Sequence, residues 1–192
     1  MRYADTVGIQ DPFSACDAIR QVREHTGADI DYHGHNDFGM STANAYAAYL
    51  AGANVLSCSV NGLGERAGNT PLEEIAMALR HLAGVRVPVD TKLLFEASAL
   101  VERHSKRAVQ EGKAIVGRRV HAHESGIHVD GLLKDENTYQ PYPPEDAGGQ
   151  RKIVLGKSSG RKAVEYVYST KGFDLTPEQV SRLFNRLKRR YS

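Results

Sequence analysis

The sequence predicts an α/β fold with parallel strands in its first half, followed by a mostly helical, loop-rich part. Short apolar runs alternate three times with amphipathic stretches before residue 90. Glycine, proline or an N-cap residue bounds each amphipathic stretch. No turn signal joins two neighbouring strands into a hairpin. The crossovers are therefore helical, and the strands they connect should be parallel.

The first strand and helix span the first 27 residues. Residues 3–8 form a short predicted strand that ends in glycine. Asp11 and Pro12 are typical of an N-cap and of the first helical position, and Gly27 is typical of a helix end. The apolar stripe of this helix consists of Ala15, Ala18, Ile19 and Val22.

Two more strand–helix units follow. Residues 28–33 form the second strand and residues 41–50 an alanine-rich helix. Residues 54–60 form the third strand. The sequence 70–73 is typical of a capping box with proline in the first turn, and Gly84 ends the helix that it begins. The buried stripe of this helix is Leu72, Ile75, Ala76 and Leu79.

The second part of the chain has weaker periodicity. Residues 91–110 predict one longer helix, and residues 112–157 predict an irregular segment rich in glycine and proline, of the kind that often carries function. Helices are predicted again over 159–170 and from Thr176 onward. We place the domain boundary after residue 90, which gives domains 1–90 and 91–192.

Composition excludes several classes of protein. The chain has 192 residues, of which 41% are hydrophobic and 25% charged, as in ordinary soluble proteins. Its formal net charge of +2 gives no general attraction to nucleic acid or membrane. No apolar run is long enough to cross a bilayer, and no leader opens the chain, so we expect a cytoplasmic protein. Lys188, Arg189 and Arg190 complement a helix C-terminus more simply than they bind nucleic acid.

The two cysteines, Cys16 and Cys58, have no neighbouring partner of the metal-binding or redox type. We expect two reduced thiols, and a disulfide between them is the alternative.

A pair of histidines follows the second strand. Side chains alternate along a strand, so Asp31, His33 and His35 point to the same side. Functional groups gather at the carboxyl ends of parallel strands, where two imidazoles suit a divalent cation. An acid behind them suits this site, because a ligating histidine usually donates its second ring N–H to an acceptor that orients the ring. The alternative is a pair of solvated or hydrogen-bonded histidines.

The other two strand ends also carry polar groups. After the third strand, glycines allow tight turns that present Glu65, Arg66 and Asn69 at the same rim. The alternative is an Arg–Glu pair that only stiffens the loop. After the first strand, the hydroxyl of Thr6 can hold a carboxylate, although such a residue is more often a cap.

The irregular segment concentrates histidines. His121, His123 and His128 lie within eight residues. They suit metal ligation, general-base chemistry or a polar surface. Tyr139 follows, close to a cluster of prolines that would hold a phenol rigidly.

Five motifs together resemble the homocitrate synthase and 2-isopropylmalate synthase family. They are ADTVGIQDPF, HGHNDFGMSTANA, NGLGERAGN followed by PLEE, HESGIHVDGLLKDENTYQPYPPE and IVLGKSSGR. They run in order over almost the whole chain, and the sequence is most similar to the nitrogen-fixation type of homocitrate synthase.

The resemblance implies the C-terminal part of a (β/α)8 TIM barrel, with its last three βα units in residues 1–90, followed by a helical linker and subdomain. It also implies a Claisen condensation of acetyl-CoA with a 2-oxo acid, 2-oxoglutarate in a homocitrate synthase, at a divalent metal. Mg, Mn, Zn and Fe all suit the implied ligands.

The resemblance also assigns roles to individual residues. It places His33, His35 and Asn69 as metal ligands, with Asp31 behind them and Glu65 nearby. Thr6 and Arg66 would bind the acceptor. His128 and Tyr139 would perform acid–base work on acetyl-CoA, with His123 as a companion.

The sequence departs from the family in two ways. Ser158 stands where the family has a histidine after Lys157. The family's first strand, which supplies an acidic metal ligand and an arginine, has no counterpart here. Three strands cannot close a barrel, so we expect a fragment or a homo- or hetero-oligomer completed by a chain with the N-terminal strands. The alternatives are a 2-isopropylmalate or citramalate synthase fragment, and an inactive remnant that only binds.

Overall fold

A computed structural model describes residues 1–190 and contains a three-stranded parallel sheet at its start. Strands β1 (Arg2–Asp5), β2 (Asp31–Gly34) and β3 (Val55–Ser57) lie in the order β1-β2-β3. In this register Ala4 pairs with His33, and His33 pairs with Ser57. The predicted parallel α/β class is confirmed, although each strand is shorter than the sequence suggested.

A helix follows each of these strands: α1 (Pro12–Thr26) and α2 (Ser41–Leu50) form the crossovers, and α3 (Leu72–His81) follows β3. The carboxylate of Asp11 caps α1 by accepting hydrogen bonds from two backbone N–H groups, and Gly27 ends it at φ 61°. Both features agree with the sequence, because an Asp cap and a left-handed glycine have strong local preferences.

The core of the first unit lies between the sheet and its helices. The ring of Tyr32 is fully buried there, which places the neighbouring His33 on the opposite face of β2. The buried cluster comprises Ala15, Ile19, Ile30, Tyr32, Ala45, Ala48, Ala53 and Ile75.

The start of α3 differs from the predicted capping box. Pro71 is the N-cap residue, and no side chain caps the helix. The hydroxyl of Thr70 is buried and donates at 3.4 Å to the carbonyls of Gly34 and Ser41 instead. These long-range hydrogen bonds of Thr70 therefore take the place of the predicted local cap.

The long helix predicted for residues 91–110 is wrong in length. A 3-10 turn at Thr91–Leu93 precedes α4, which spans Leu94–Ser105. Lys106 adopts the left-handed conformation at φ 60°, and Arg107 then turns back to donate to the carbonyl of Gly64 at 2.9 Å. This long-range hydrogen bond accompanies the early end of the helix.

A second compact unit begins at Arg118. Within the segment predicted to be irregular lie two paired parallel strands, β4 (Ala122–His123) and β5 (Lys152–Ile153), and helix α5 (Gly126–Lys134). Two 3-10 turns, at Glu136–Tyr139 and Pro144–Ala147, fall between α5 and β5. The helices of this unit are α5 (Gly126–Lys134), α6 (Arg161–Ser169) and α7 (Pro177–Arg190).

The chain thus divides into two units, of which the first is Met1–Gly117. The boundary after residue 90 stays a prediction. Both cysteines are free thiols. Among residues 1–190, no helix is both long and apolar enough to span a bilayer.

Candidate functional site

His33 and His35 lie together at the carboxyl end of β2. Their ring centroids are 5.0 Å apart, and the two rings are nearly perpendicular, at 87°. The Nδ1 atom of each ring is buried and has no hydrogen-bond partner within residues 1–190. Burial lowers the pKa of His33, and the charges of His35 and Arg2 lower it further. At neutral pH the His33 ring is therefore uncharged and can donate a nitrogen lone pair.

Asn69 is held beside His35 by the backbone. The two residues form an isolated antiparallel bridge, in which the N–H of Asn36 donates to Gly68 at 2.9 Å and that of Thr70 donates to Gly34 at 3.1 Å. The side-chain Nδ2 of Asn69 donates to the carbonyl of Leu63 at 3.2 Å, whereas its Oδ1 is buried without a partner in the described part of the chain.

These orphaned atoms fit a divalent metal. Buried polar atoms normally have a partner, and two imidazole nitrogens with an amide oxygen form a reasonable partial ligand set. Within residues 1–190, no group of three or more His, Cys, Asp and Glu side chains is placed to hold an ion. The set of His33, His35 and Asn69 is thus incomplete without an acidic ligand.

Asp31 is occupied by two neighbours on the sheet. Its carboxylate accepts a hydrogen bond from Arg2 Nε at 2.7 Å and one from the Ser57 hydroxyl at 2.9 Å. Its negative charge acts to raise the pKa of His33, but less strongly than burial lowers it. Its predicted place behind the histidines stays a prediction.

Arg66 links the ends of all three strands. Its Nε and Nη2 donate to the two carboxylate oxygens of Asp37 at 2.8 and 3.0 Å, and Nη2 also donates to the backbone carbonyl of Thr6 at 2.8 Å. Glu65 is exposed, and its carbonyl accepts from the N–H of Gly68 at 2.8 Å. Sequence reasoning missed Asp37, whose only signal is its position in the loop after the histidines.

In the second unit, His128 and Tyr139 are in direct contact. Their rings stack with centroids 4.3 Å apart and planes 28° from parallel. Gly131 lies one turn after His128 on α5, and a Cβ there would come within 2.5 Å of the Tyr139 ring. The absence of a side chain at Gly131 therefore lets the phenol lie against the helix, beside the imidazole.

His121 and His123 share one environment in this unit. Burial lowers the pKa of His121, with help from the charge of His123, while Glu145 opposes the shift. Burial also lowers the pKa of His123, and the charges of His128 and Arg151 add to it. Both rings are therefore neutral at pH 7 and able to accept a proton.

The two depressed pKa values predict acid sensitivity. Because these histidines bind protons less readily in the folded state than in the unfolded state, they make the free energy of unfolding depend on pH. Their contribution to stability is complete above the ordinary histidine pKa of 6.5 and is lost as the pH falls through their lowered pKa values in the folded state. We expect the thermal midpoint of unfolding to fall as the pH is lowered from about 8 to about 5. The variant His121→Gln should make this pH dependence weaker. Exposed His104→Ala is the control. Equal pH profiles for wild type and His121→Gln would contradict the assignment.

Two family models match the chain. One, described as HMGL-like, covers residues 1–101, and the other, described as homocitrate synthase post-HMGL domain-like, covers residues 115–191. Their junction lies close to the boundary between the two compact units.

Curated relatives are similar over nearly the whole chain. Homocitrate synthase AksA of Methanothermobacter thermautotrophicus is 47% identical over 97% of this chain and 48% of its own. The (R)-citramalate synthase CimA of Methanocaldococcus jannaschii is 44% identical over 96% and 38%. The 2-isopropylmalate synthase 2 of Caldanaerobacter subterraneus is 43% identical over 98% and 49%. The chain spans half or less of the length of these relatives.

Solved structures agree in fold. A hydroxymethylglutaryl-CoA lyase from Pseudomonas aeruginosa matches with a TM-score of 0.51 and 25% identity, over 56% of this chain and 38% of its own. An HMG-CoA lyase from Acinetobacter baumannii, in complex with coenzyme A and 3-methylmalate, matches with a TM-score of 0.52 and 24% identity, over 59% and 40%. The first unit is thus part of an HMGL-like TIM barrel.

Proposed function

This chain belongs to the HMGL-like homocitrate/2-isopropylmalate synthase family, and from that premise we propose that it forms the C-terminal part of a homocitrate synthase. The enzyme would condense acetyl-CoA with 2-oxoglutarate and water to give homocitrate, CoA and a proton. The observation that carries this proposal is the trio of orphaned donor atoms on His33, His35 and Asn69 at the carboxyl rim of the sheet.

The rim residues would bind and orient the acceptor. A divalent metal bound by His33, His35 and Asn69 would supply Lewis-acid polarisation of the acceptor's ketone. The exposed hydroxyl of Thr6 can donate to an acceptor carboxylate. The hydrogen bonds of Arg66 use Nε and Nη2, so its Nη1 group remains to contribute positive charge toward the same anion.

Residues of the second unit would move the proton. His128 would take a proton from the methyl group of acetyl-CoA, because histidine is the side chain that most often serves as a general base. The Tyr139 ring stacks on His128 and would hold it in place. The neutral His123, which interacts electrostatically with His128, would assist as a companion base.

The sheet also offers a surface on which further barrel strands could pair. β3 is an outer strand of the sheet, and Val55 on it is 54% exposed. Beside it lies a groove of about 430 Å3 lined largely by apolar side chains, including Leu56, Leu72 and Leu79. Unpaired strand edges and apolar grooves favour association. We propose that a chain or segment with the N-terminal barrel strands completes the sheet here, in a homo- or hetero-oligomer.

An acceptor series tests the proposed function. The chain would be co-expressed with an N-terminal barrel half, and CoA release would be measured with 2-oxoglutarate, 2-oxoisovalerate and pyruvate. We expect release from acetyl-CoA with 2-oxoglutarate to exceed that with the other acceptors by at least about tenfold. The chain alone should release none, because an acidic ligand is lacking among residues 1–190. Activity of the chain alone would contradict the need for a partner.

The relatives also support a second candidate. Citramalate and 2-isopropylmalate synthases are 42–46% identical to this chain, close to the homocitrate synthases. A preference for pyruvate or 2-oxoisovalerate in the acceptor series would select one of them. No CoA release with any acceptor would favour an inactive remnant. The nitrogen-fixation type and the metal among Mg, Mn, Zn and Fe stay predictions.

A further inference from the structure

The contacts of Arg66 point to a role beyond substrate binding. We infer that Arg66 and Asp37 form a positioning pair that fixes the separation between Thr6 and Asn69, an inference that rests on the proposed function of that rim. The pair spans three strand ends, since Arg66 follows β3, Asp37 follows β2 and Thr6 follows β1.

Arg66 and Asp37, here called the clamp, are joined to each other and to the loop after β1 through three hydrogen bonds of one guanidinium group. Nε and Nη2 of Arg66 meet the two oxygens of Asp37 at 2.8 and 3.0 Å, and the same Nη2 reaches the carbonyl of Thr6 at 2.8 Å. A planar guanidinium can satisfy all three contacts at once, whereas the ammonium of a lysine cannot reproduce the fork. The three loops are therefore joined through one rigid group.

Arg66 adopts a locally unfavourable backbone conformation that allows its side chain to make these contacts. Its φ of 53° lies in the left-handed region, which is uncommon for a residue with a side chain. It sits inside the turn closed by Gly68 N–H and the Glu65 carbonyl at 2.8 Å, directly before Asn69. Such local strain persists where surrounding contacts determine it, and the fork to Asp37 is that contact.

Gly8 leaves space for the carboxylate of Asp37, the second residue of the clamp. A Cβ at Gly8 would lie 2.4 Å from Oδ2 of Asp37, so the carboxylate packs directly on the backbone after β1. Gly8 has φ +64°, and Gly27, at the end of α1, has nearly the same φ of +61° with nothing within 4 Å of an added Cβ. The two glycines therefore differ in the contact and not in the backbone strain of a substitution.

The pair is too exposed to act mainly through folding stability. The side chain of Arg66 is 43% exposed and that of Asp37 is 23% exposed. Exposed ion pairs contribute little to stability. If the pair were only structural, its removal would change neither folding stability nor ligand binding much. If it fixes the spacing of Thr6 and Asn69, its removal would weaken the binding of the acceptor and of the metal.

The test compares Asp37→Ala, Arg66→Lys and Gly8→Ala with Asp17→Ala and Gly27→Ala. Asp17 forms an exposed pair with Arg20 on α1, away from the rim. In the completed enzyme, each clamp variant should raise the acceptor KM and weaken Mn²⁺ binding by about 10- to 100-fold. Its thermal midpoint should match that of its control, and kcat at saturating acceptor should change less than KM.

Hydrogen exchange separates this inference from the proposed function. In the chain alone, the clamp variants should speed exchange at the amides of Gly8, Gly68 and Asn69 relative to the controls. If those amides exchange as in wild type and KM is unchanged, the positioning role is overturned. If exchange quickens but wild type itself binds no metal and releases no CoA, the clamp stands and the proposed function fails.

Discussion

His33→Ala should abolish both Mn²⁺ binding and CoA release in the completed enzyme. The variant removes one of two imidazoles whose ring centroids lie 5.0 Å apart at the rim of the sheet. Metal-ion stabilisation of a transition state is worth several kcal/mol, and about 1.4 kcal/mol corresponds to a factor of ten in rate. We therefore expect kcat to fall by at least about a hundredfold, measured by CoA release with 2-oxoglutarate.

The control for this loss is His104→Ala. His104 lies in α4 of the same unit and is exposed, so its removal should change neither readout. Calorimetric titration with Mn²⁺ reports binding independently of turnover, and circular dichroism reports the fold. A folded His33→Ala enzyme that keeps wild-type affinity and activity would show that the metal assignment is wrong.

Much of the first unit could be predicted because its signals are local. The Asp11 cap, the Gly27 end and the bounds of α2 agree with the sequence, since caps and helical periodicity depend on neighbouring residues. The rim position of His33 and His35 follows from strand alternation, which is local, and from the parallel order, which the helical crossovers predict.

The second unit could not be predicted in the same way. Strands β4 and β5 have two residues each, too few for any alternation to show. Helix α5 contains Gly126 and Gly131, which disfavour a helix locally. The structure explains both: a Cβ at Gly126 would lie 3.0 Å from the backbone of Gly160, and one at Gly131 would meet Tyr139. Gly160 lies far along the chain from Gly126, and Tyr139 lies outside the helix that contains Gly131, so neither contact is visible in the helical pattern itself.

The same limit applies to the polar contacts of the candidate site. Arg66 and Asp37 are 29 residues apart, and Arg66 and Thr6 are 60 residues apart. A sequence reveals which side chains can pair, but not which pairs the packing of three loops brings into contact. A pair between Arg66 and Glu65 is only the alternative that the sequence leaves open, and in the structure the guanidinium of Arg66 donates to Asp37.

A buried ion pair holds the turn that leads into the site loop. The carboxylate of Glu73 is 1% exposed, accepts from the N–H of Asn61 at 3.0 Å and lies 3.1 Å from the ammonium of Lys113. Lys113 also pairs with Glu74 at 2.7 Å and is 17% exposed. Burial acts to lower the pKa of Lys113, but the hydrogen bond to Glu74 and the charge of Glu73 outweigh it and raise the pKa. The lysine therefore stays charged.

Lys113→Met should lower the free energy of unfolding by about 3 kcal/mol, because it leaves the Glu73 carboxylate buried without a counter-charge. The loss lies at the low end for buried pairs, since Glu73 keeps its backbone donor. Urea unfolding followed by circular dichroism measures it, with exposed Lys92→Met as the matched control. Glu73→Gln added to Lys113→Met should restore most of the loss by neutralising the carboxylate. If Lys113→Met unfolds at the same urea concentration as Lys92→Met, the pair does not stabilise this unit.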